Sequence, residues 1–383
     1  MGLFQDIRAS RIPALAFVAM GMVWAAFAAQ VPVIKAQIGA NDAMFGLSFM
    51  VSSLGAVAAM WLAPVVDARL KDLSLMATTA LMAISFVLAG VSGTVVIFTL
   101  VMFLAAMTSG VGDILMNARV AEIESSTARP LMNLNHAIFS FAYAGCALLT
   151  GFAREAGAGP IPIFGTVCAV IFGLCLFMRI TPAAQEERTP GRVGGAASGL
   201  VWLGGIVVLA AFFAEQSAEG WSALHLERTL GGSAAQGALG PAILGLSMGF
   251  GRLFGQIIAS RVRDTVMIAG ASLISAFGLA LAAFSPTLAL AYLGFGVLGA
   301  GVSVLVPLAM ALVGRVVPAS DRVAAIGRAS VVGYGAFIFG PTLIGVTSDS
   351  YGLPAAFLVV SASLVMVAVI LVPLITRRLA ASG

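Results

Sequence analysis

The sequence predicts an all-α membrane protein, with twelve transmembrane helices in two pseudo-symmetric six-helix bundles. Three observations predict it. Of 383 residues, 60% are hydrophobic and only 9% are charged. A soluble domain carries about 25% charge to cover its hydrated surface. Twelve apolar runs each approach or exceed the roughly 20 residues needed to cross a bilayer. The chain also repeats itself at a shift of 192 residues.

The runs lie near 12–34, 43–66, 73–92, 95–118, 131–152, 160–179, 200–220, 236–259, 265–284, 287–311, 323–346 and 354–375. Helix breakers separate them, among them Ser92-Gly93-Thr94, Gly157 to Pro160, Ser285-Pro286 and Tyr351 to Pro354. The first run follows Arg8 and Arg11 and contains Ala26-Phe27-Ala28, as a cleaved leader would. It continues to Ile34 and similar runs follow, so an uncleaved first span is expected. Thr181 to Gly199 is the longest polar stretch, rich in Pro, Gly, Ser and charge. It divides the chain into a bundle over 1–180, a cytoplasmic linker over 181–199 and a bundle over 200–383.

The net charge is +4 and the pI about 9.3. The basic residues sit at the ends of apolar runs and form no patch, so they imply a lipid bilayer and no nucleic acid. With the N-terminus inside, fifteen basic residues fall on the cytoplasmic side. Only Lys35, Arg154 and Arg228 fall outside, while Arg252 and Arg328 lie within spans. Positive charge favours the cytoplasmic face, so both termini are expected there, in a multi-pass protein of the inner (plasma) membrane. Cys146, Cys168 and Cys175 lie inside apolar runs, with no CxxC spacing. No disulfide framework, metal site or cofactor is implied. No nucleophile–base set or phosphate loop points to an enzyme.

The 192-residue shift places Arg69-Leu70-Lys71-Asp72 on Arg261-Val262-Arg263-Asp264, and His136 on Arg328. Duplicated halves are a transporter architecture, with the solute bound between them near mid-membrane.

The sequence resembles the major facilitator superfamily in its two six-span halves, its central linker and its charged turn between spans 2 and 3. That family's turn reads G-x-x-x-D-R/K-x-G-R/K. Here Ala63 to Lys71 keeps Asp67, Arg69 and Lys71 without either glycine; the second copy, Gly255 to Arg263, keeps the glycine and Arg261 without the acid. In the family this turn pairs with neighbouring helix ends, which implies a cytoplasmic gate of Asp67, Arg69, Lys71, Glu122 and Arg129, with Arg252 and Arg261 at the second copy. A finer resemblance is to the fucose-permease branch and its relatives. It rests on Asp113-Ile114-Leu115-Met116-Asn117, on Arg129 followed by Asn133-Leu134-Asn135-His136, and on Glu215 with Trp221 in span 7. The branch's span 1 acid is replaced by Gln30, and a sugar-facing Asn by Phe139. The proline-containing glycine motif of drug–proton antiporters is absent from span 5, where Gly145 to Gly151 holds no proline.

The densest polar cluster runs from Thr108 to Tyr143 and is expected as the end of span 4, a short turn and the start of span 5. A carboxylate at membrane depth costs about 2.5–3.5 kcal/mol on insertion scales, so one that is present is paired, hydrated or used. Asp113 is therefore the sharpest candidate for proton coupling, with Glu215 its counterpart across the interface; the alternative is an ion pair with Arg119 or Arg129. Asn117 lies one turn from Asp113 on the same face. His136, Ser140 and Tyr143 form a polar stripe on span 5. Candidate solute ligands are Gln30, Asn117, His136, Tyr143, Glu219, Trp221 and Arg328, the last favouring an anion if it faces the cavity. Gly245 and Gly249 form a small-residue face for close helix approach.

The expected activity is proton-coupled uptake of a small polar solute, sugar-like or an organic anion, by a monomer using alternating access. Two alternatives stay open. An exporter of amphiphiles or drugs predicts an aromatic and methionine-lined cavity and indifference to His136 substitution. A non-transporting membrane sensor predicts binding without flux.

Overall fold

The computed structural model describes residues 3–127, 129–179, 195–259, 262–318 and 321–382. Arg261 and most of the predicted linker lie outside them. The described residues hold no strand and fourteen α-helices. The first seven are α1 (Leu3–Ala9), α2 (Arg11–Gln37), α3 (Asp42–Leu70), α4 (Ser74–Val91), α5 (Val95–Thr127), α6 (Met132–Glu155) and α7 (Pro160–Cys175). The second seven are α8 (Gly195–Leu224), α9 (Ala234–Ala259), α10 (Asp264–Phe284), α11 (Leu288–Arg315), α12 (Arg322–Tyr351), α13 (Leu353–Met366) and α14 (Val372–Ser382).

Nine stretches of the described residues are long and apolar enough to cross a membrane. Two of them, 42–91 and 324–381, each contain more than one helix, and α7 is a shorter apolar helix. The helices also turn large apolar side chains outward. Leu100 is 66% exposed, Leu149 71% and Phe277 63%, a surface suited to lipid rather than water.

Local chemistry sets the helix ends. Asn41 caps α3 by accepting from the Met44 N–H at 2.8 Å. Pro160 starts α7, and Gly352, at φ 83°, ends α12. The cytoplasmic turn expected after residue 118 is instead helical: α5 continues to Thr127. The segment Ala118 to Glu124 has no glycine or proline to stop it, and its Ala and Glu residues favour helix. The extension has a use, because the Glu124 carboxylate accepts the N–H groups of Leu131 and Met132 at the start of α6.

The two halves meet along two main seams, α3 against α12 and α6 against α9. Shifting by 192 residues carries α3 onto α9 and α6 onto α12, so each seam is the image of the other. Small residues let the backbones touch. Gly46 lies against Pro341 and Thr342, Gly345 against Asp42, and Gly151 against Ala238. Gly245 and Gly249 of α9 receive Tyr143 and Phe141 of α6, as their spacing predicts.

Candidate functional site

Asp113, Asn117 and His136 form one hydrogen-bonded chain. The turn of helix from Asp113 to Asn117 brings the Asn117 amide to the Asp113 carboxylate, where Nδ2 donates to Oδ1 at 3.0 Å. The Asn117 carbonyl oxygen then accepts from His136 Nε2 at 3.1 Å. An amide that donates on one side must accept on the other, so the ring carries its proton on Nε2. Phe17 of α2 meets the imidazole edge-on, with ring centroids 5.0 Å apart.

Arg252 continues the chain across the seam. Its guanidinium donates to Ser140 Oγ at 2.6 Å and, weakly, to the His136 carbonyl at 3.4 Å. It also pairs with Glu215 of α8 at 3.2 Å. Arg252 thus ties α6 of the first half to α8 and α9 of the second. It lies one helical turn before Gly255 of the second turn, on the side of α9 that meets α6. Asp113 makes no ion pair with Arg119 or Arg129, which are engaged elsewhere.

One turn beyond Glu215, Glu219 enters a cavity between the halves. Trp24, Phe27, Phe45, Phe49, Tyr143 and Trp221 supply its aromatic wall, with Gln216 and Pro341 beside Glu219. Space for water centres totals about 50 Å³, room for on the order of three to five waters. Tyr143 is 2% exposed, and its hydroxyl has no hydrogen-bond partner among the described residues.

Of the predicted solute ligands, Tyr143, Glu219 and Trp221 line this cavity, and Asn117 and His136 stand in the polar chain below it. Gln30 does not line it. It is fully buried within α2 and donates to the Ala26 carbonyl. Arg328 is exposed and makes no ion pair among the described residues.

Charges distribute differently at the two ends of the molecule. At the end poor in basic residues, ion pairs join the halves. Arg154 grips Glu227 with two bonds, at 2.6 and 2.9 Å. Arg228 grips Asp42 at 2.8 and 2.6 Å, and Lys35 and Ser348 contact the same carboxylate. At the basic-rich end the ion pairs stay within one half. Arg119 bonds Asp67 at 2.6 Å and Glu122 at 2.9 Å, Arg129 bonds Asp6 at 2.9 Å, and Arg315 pairs with Asp264. Among the described residues, then, ion pairs close the molecule between halves at one end only.

The predicted gate set is only partly gathered. Asp67 and Glu122 meet through buried Arg119, which sequence reasoning had counted only as a topology signal or a partner for Asp113. Arg129 turns instead to Asp6, brought beside it by α1. Arg69 and Lys71 are exposed with no ion pair among the described residues. The clamps built on Arg154 and Arg228 were also missed. Their signal was available: three basic residues on a face that should lack them need carboxylate partners.

The Major Facilitator Superfamily model matches residues 201–382. An uncharacterized MFS-type transporter of Yersinia pestis is 30% identical over 376 residues, covering 92% of each chain. Two solved structures share the fold at low identity. A bacterial homolog of the human lysosomal transporter Spinster, inward-facing and occupied, superposes with a TM-score of 0.72 at 15% identity, covering 98% of this chain and 97% of that one. The nucleoside transporter NupG superposes with a TM-score of 0.70 at 13% identity, covering 99% of both.

Proposed function

Because the chain belongs to the major facilitator superfamily, we propose that it is a proton-coupled uptake transporter of a small polar solute, working by alternating access. In this reading twelve spans form two six-helix bundles over 1–180 and 200–383. The basic-rich end and both termini face the cytoplasm, and a monomer in a bacterial-type inner membrane carries the activity. The observation that carries it is the hydrogen-bonded chain from Asp113 through Asn117 and His136 to the Arg252 seam.

The chain supplies a coupling device. An ionised Asp113 accepts from the Asn117 amide and so turns the amide oxygen toward His136. A protonated Asp113 donates instead, to that oxygen, and reverses the amide. His136 then faces a donor and must offer a bare nitrogen or rotate away. Arg252, which holds Ser140 and Glu215, touches the same turn of α6 through the His136 backbone carbonyl. Glu215 can exchange Arg252 for a proton, so it serves as the second coupling acid. The solute sits above, against Tyr143, Glu219 and Trp221. The clamps of Arg154 and Arg228 hold the outer side shut while the inner side opens.

The aromatic wall favours a second reading, export of amphiphiles. One experiment separates the two. In proteoliposomes loaded with a pH dye, uptake by symport acidifies the lumen when solute is added, and His136→Gln abolishes this. Solute flux with no lumenal pH change contradicts proton coupling, and a variant indifferent at His136 favours the exporter.

A further inference from the structure

The aromatic cavity narrows the solute class, given the reading above that solute binds there. Buried polar groups in native proteins find partners almost without exception. On the cavity, the buried Tyr143 hydroxyl lacks a partner and the half-buried Glu219 carboxylate makes no hydrogen bond or ion pair among the described residues. The cations of the surrounding helices have their hydrogen bonds elsewhere. Arg252 is taken by Glu215 and Ser140, Arg154 by Glu227, and Arg228 by Asp42. The cavity therefore presents a carboxylate with no cationic hydrogen-bond partner of its own, which a bound cation would hold ionised.

Its walls have the same preference. The faces of Trp, Tyr and Phe rings are electron-rich and attract cations within about 6 Å, Trp most strongly. Trp24, Trp221 and three Phe rings line the space around Glu219. An anion would meet a carboxylate and electron-rich faces with no guanidinium free to hold it. Arg328, the cation that an anionic solute would use, lies thirteen residues along α12 from cavity-lining Pro341. That is roughly 20 Å of helix.

We propose that the solute is a small organic cation, a protonated amine whose ammonium group pairs with Glu219 inside the aromatic wall and whose neighbouring hydroxyl meets Tyr143. The ammonium supplies the missing charge, and the hydroxyl supplies the missing hydrogen bond. Neutral sugars and acids would satisfy only the second group.

Tryptophan emission tests this directly, because two of the chain's four tryptophans, Trp24 and Trp221, line the cavity. The other two, Trp61 and Trp202, are exposed and are replaced by Phe. The purified protein in lipid nanodiscs is titrated with glucosamine, glucose and glucuronate, a size-matched cation, neutral and anion, and with choline and ethanolamine. The proposal expects at least one cation to bind roughly tenfold more tightly than the neutral and anionic sugars. Glu219→Gln should lose that preference, and Glu219→Asp should keep part of it. Helical content of each variant is checked by circular dichroism. Equal or tighter binding of glucose or glucuronate overturns the cation assignment, as does an unaffected Glu219→Gln, and both leave the cavity as the solute site. If no compound of any charge alters the emission, the cavity itself is wrong as the solute site, and the proposed function fails with it.

Discussion

Arg228 holds Asp42 with two hydrogen bonds, at 2.8 and 2.6 Å, between residues 186 positions apart. The carboxylate side chain is 3% exposed. This contact and Arg154–Glu227 latch the ends of α6 and α8 and the start of α3 at one side of the molecule. Nothing comparable joins the halves at the other side among the described residues. Among the described residues the charge pairing between the halves is therefore one-sided.

Removing the latch should open that side. Arg228→Ala leaves Asp42 with Lys35, at 2.8 Å, and Ser348, and because Arg228 is 42% exposed the loss is about 1–2 kcal/mol, below that of a fully buried pair. Asn41 and Asp349 touch across the same side, at 3.3 Å. Cysteines at these two positions, in a chain lacking the native three, should cross-link readily in the parent and about tenfold more slowly in Arg228→Ala. Unchanged cross-linking would show that the glycine contacts of Gly46 and Gly345 suffice for closure.

Arg119 should carry the stability of the basic-rich end. It is 3% exposed and bonds both Asp67 and Glu122. Arg119→Ala should cost about 3–5 kcal/mol, as for a broken buried pair, read as a large fall in melting temperature. Lys71 should behave in the opposite way. It is exposed and held at φ 50°, ψ −117°, a conformation suited to glycine. Lys71→Gly should stabilise the protein by about 1 kcal/mol.

Much of this was legible in the sequence. Low charge, apolar run length and the basic asymmetry are properties of composition, and they identify a membrane helical bundle without any contact information. Asp113, Asn117 and His136 were legible as a group because two lie one turn apart and the third opens the next helix. Their order in one chain was not, because it depends on how α5 and α6 cross. The partners of Arg252 were not legible, because sequence position fixes only its depth, whereas Ser140 and Glu215 come from two other helices. Gln30 seemed a ligand by matching a family position, yet its helix turns it toward its own backbone carbonyl.

Tyr143→Phe should separate function from folding. The hydroxyl is buried without a partner among the described residues, so its removal leaves no broken bond and should leave stability unchanged or raise it by up to about 1 kcal/mol. Solute affinity should fall by about tenfold, the worth of one hydrogen bond in a buried site. Equal affinity in the two proteins would place the solute elsewhere.

The most direct test of the central claim is accumulation by Asp113→Asn. In proteoliposomes with an imposed pH gradient, the parent should concentrate a solute that shifts the emission of Trp24 and Trp221. The Asn side chain preserves size and the contact to Asn117 but takes up no proton. The account predicts that this variant exchanges labelled solute across the membrane yet fails to concentrate it. Accumulation against a gradient by Asp113→Asn would contradict proton coupling at this site.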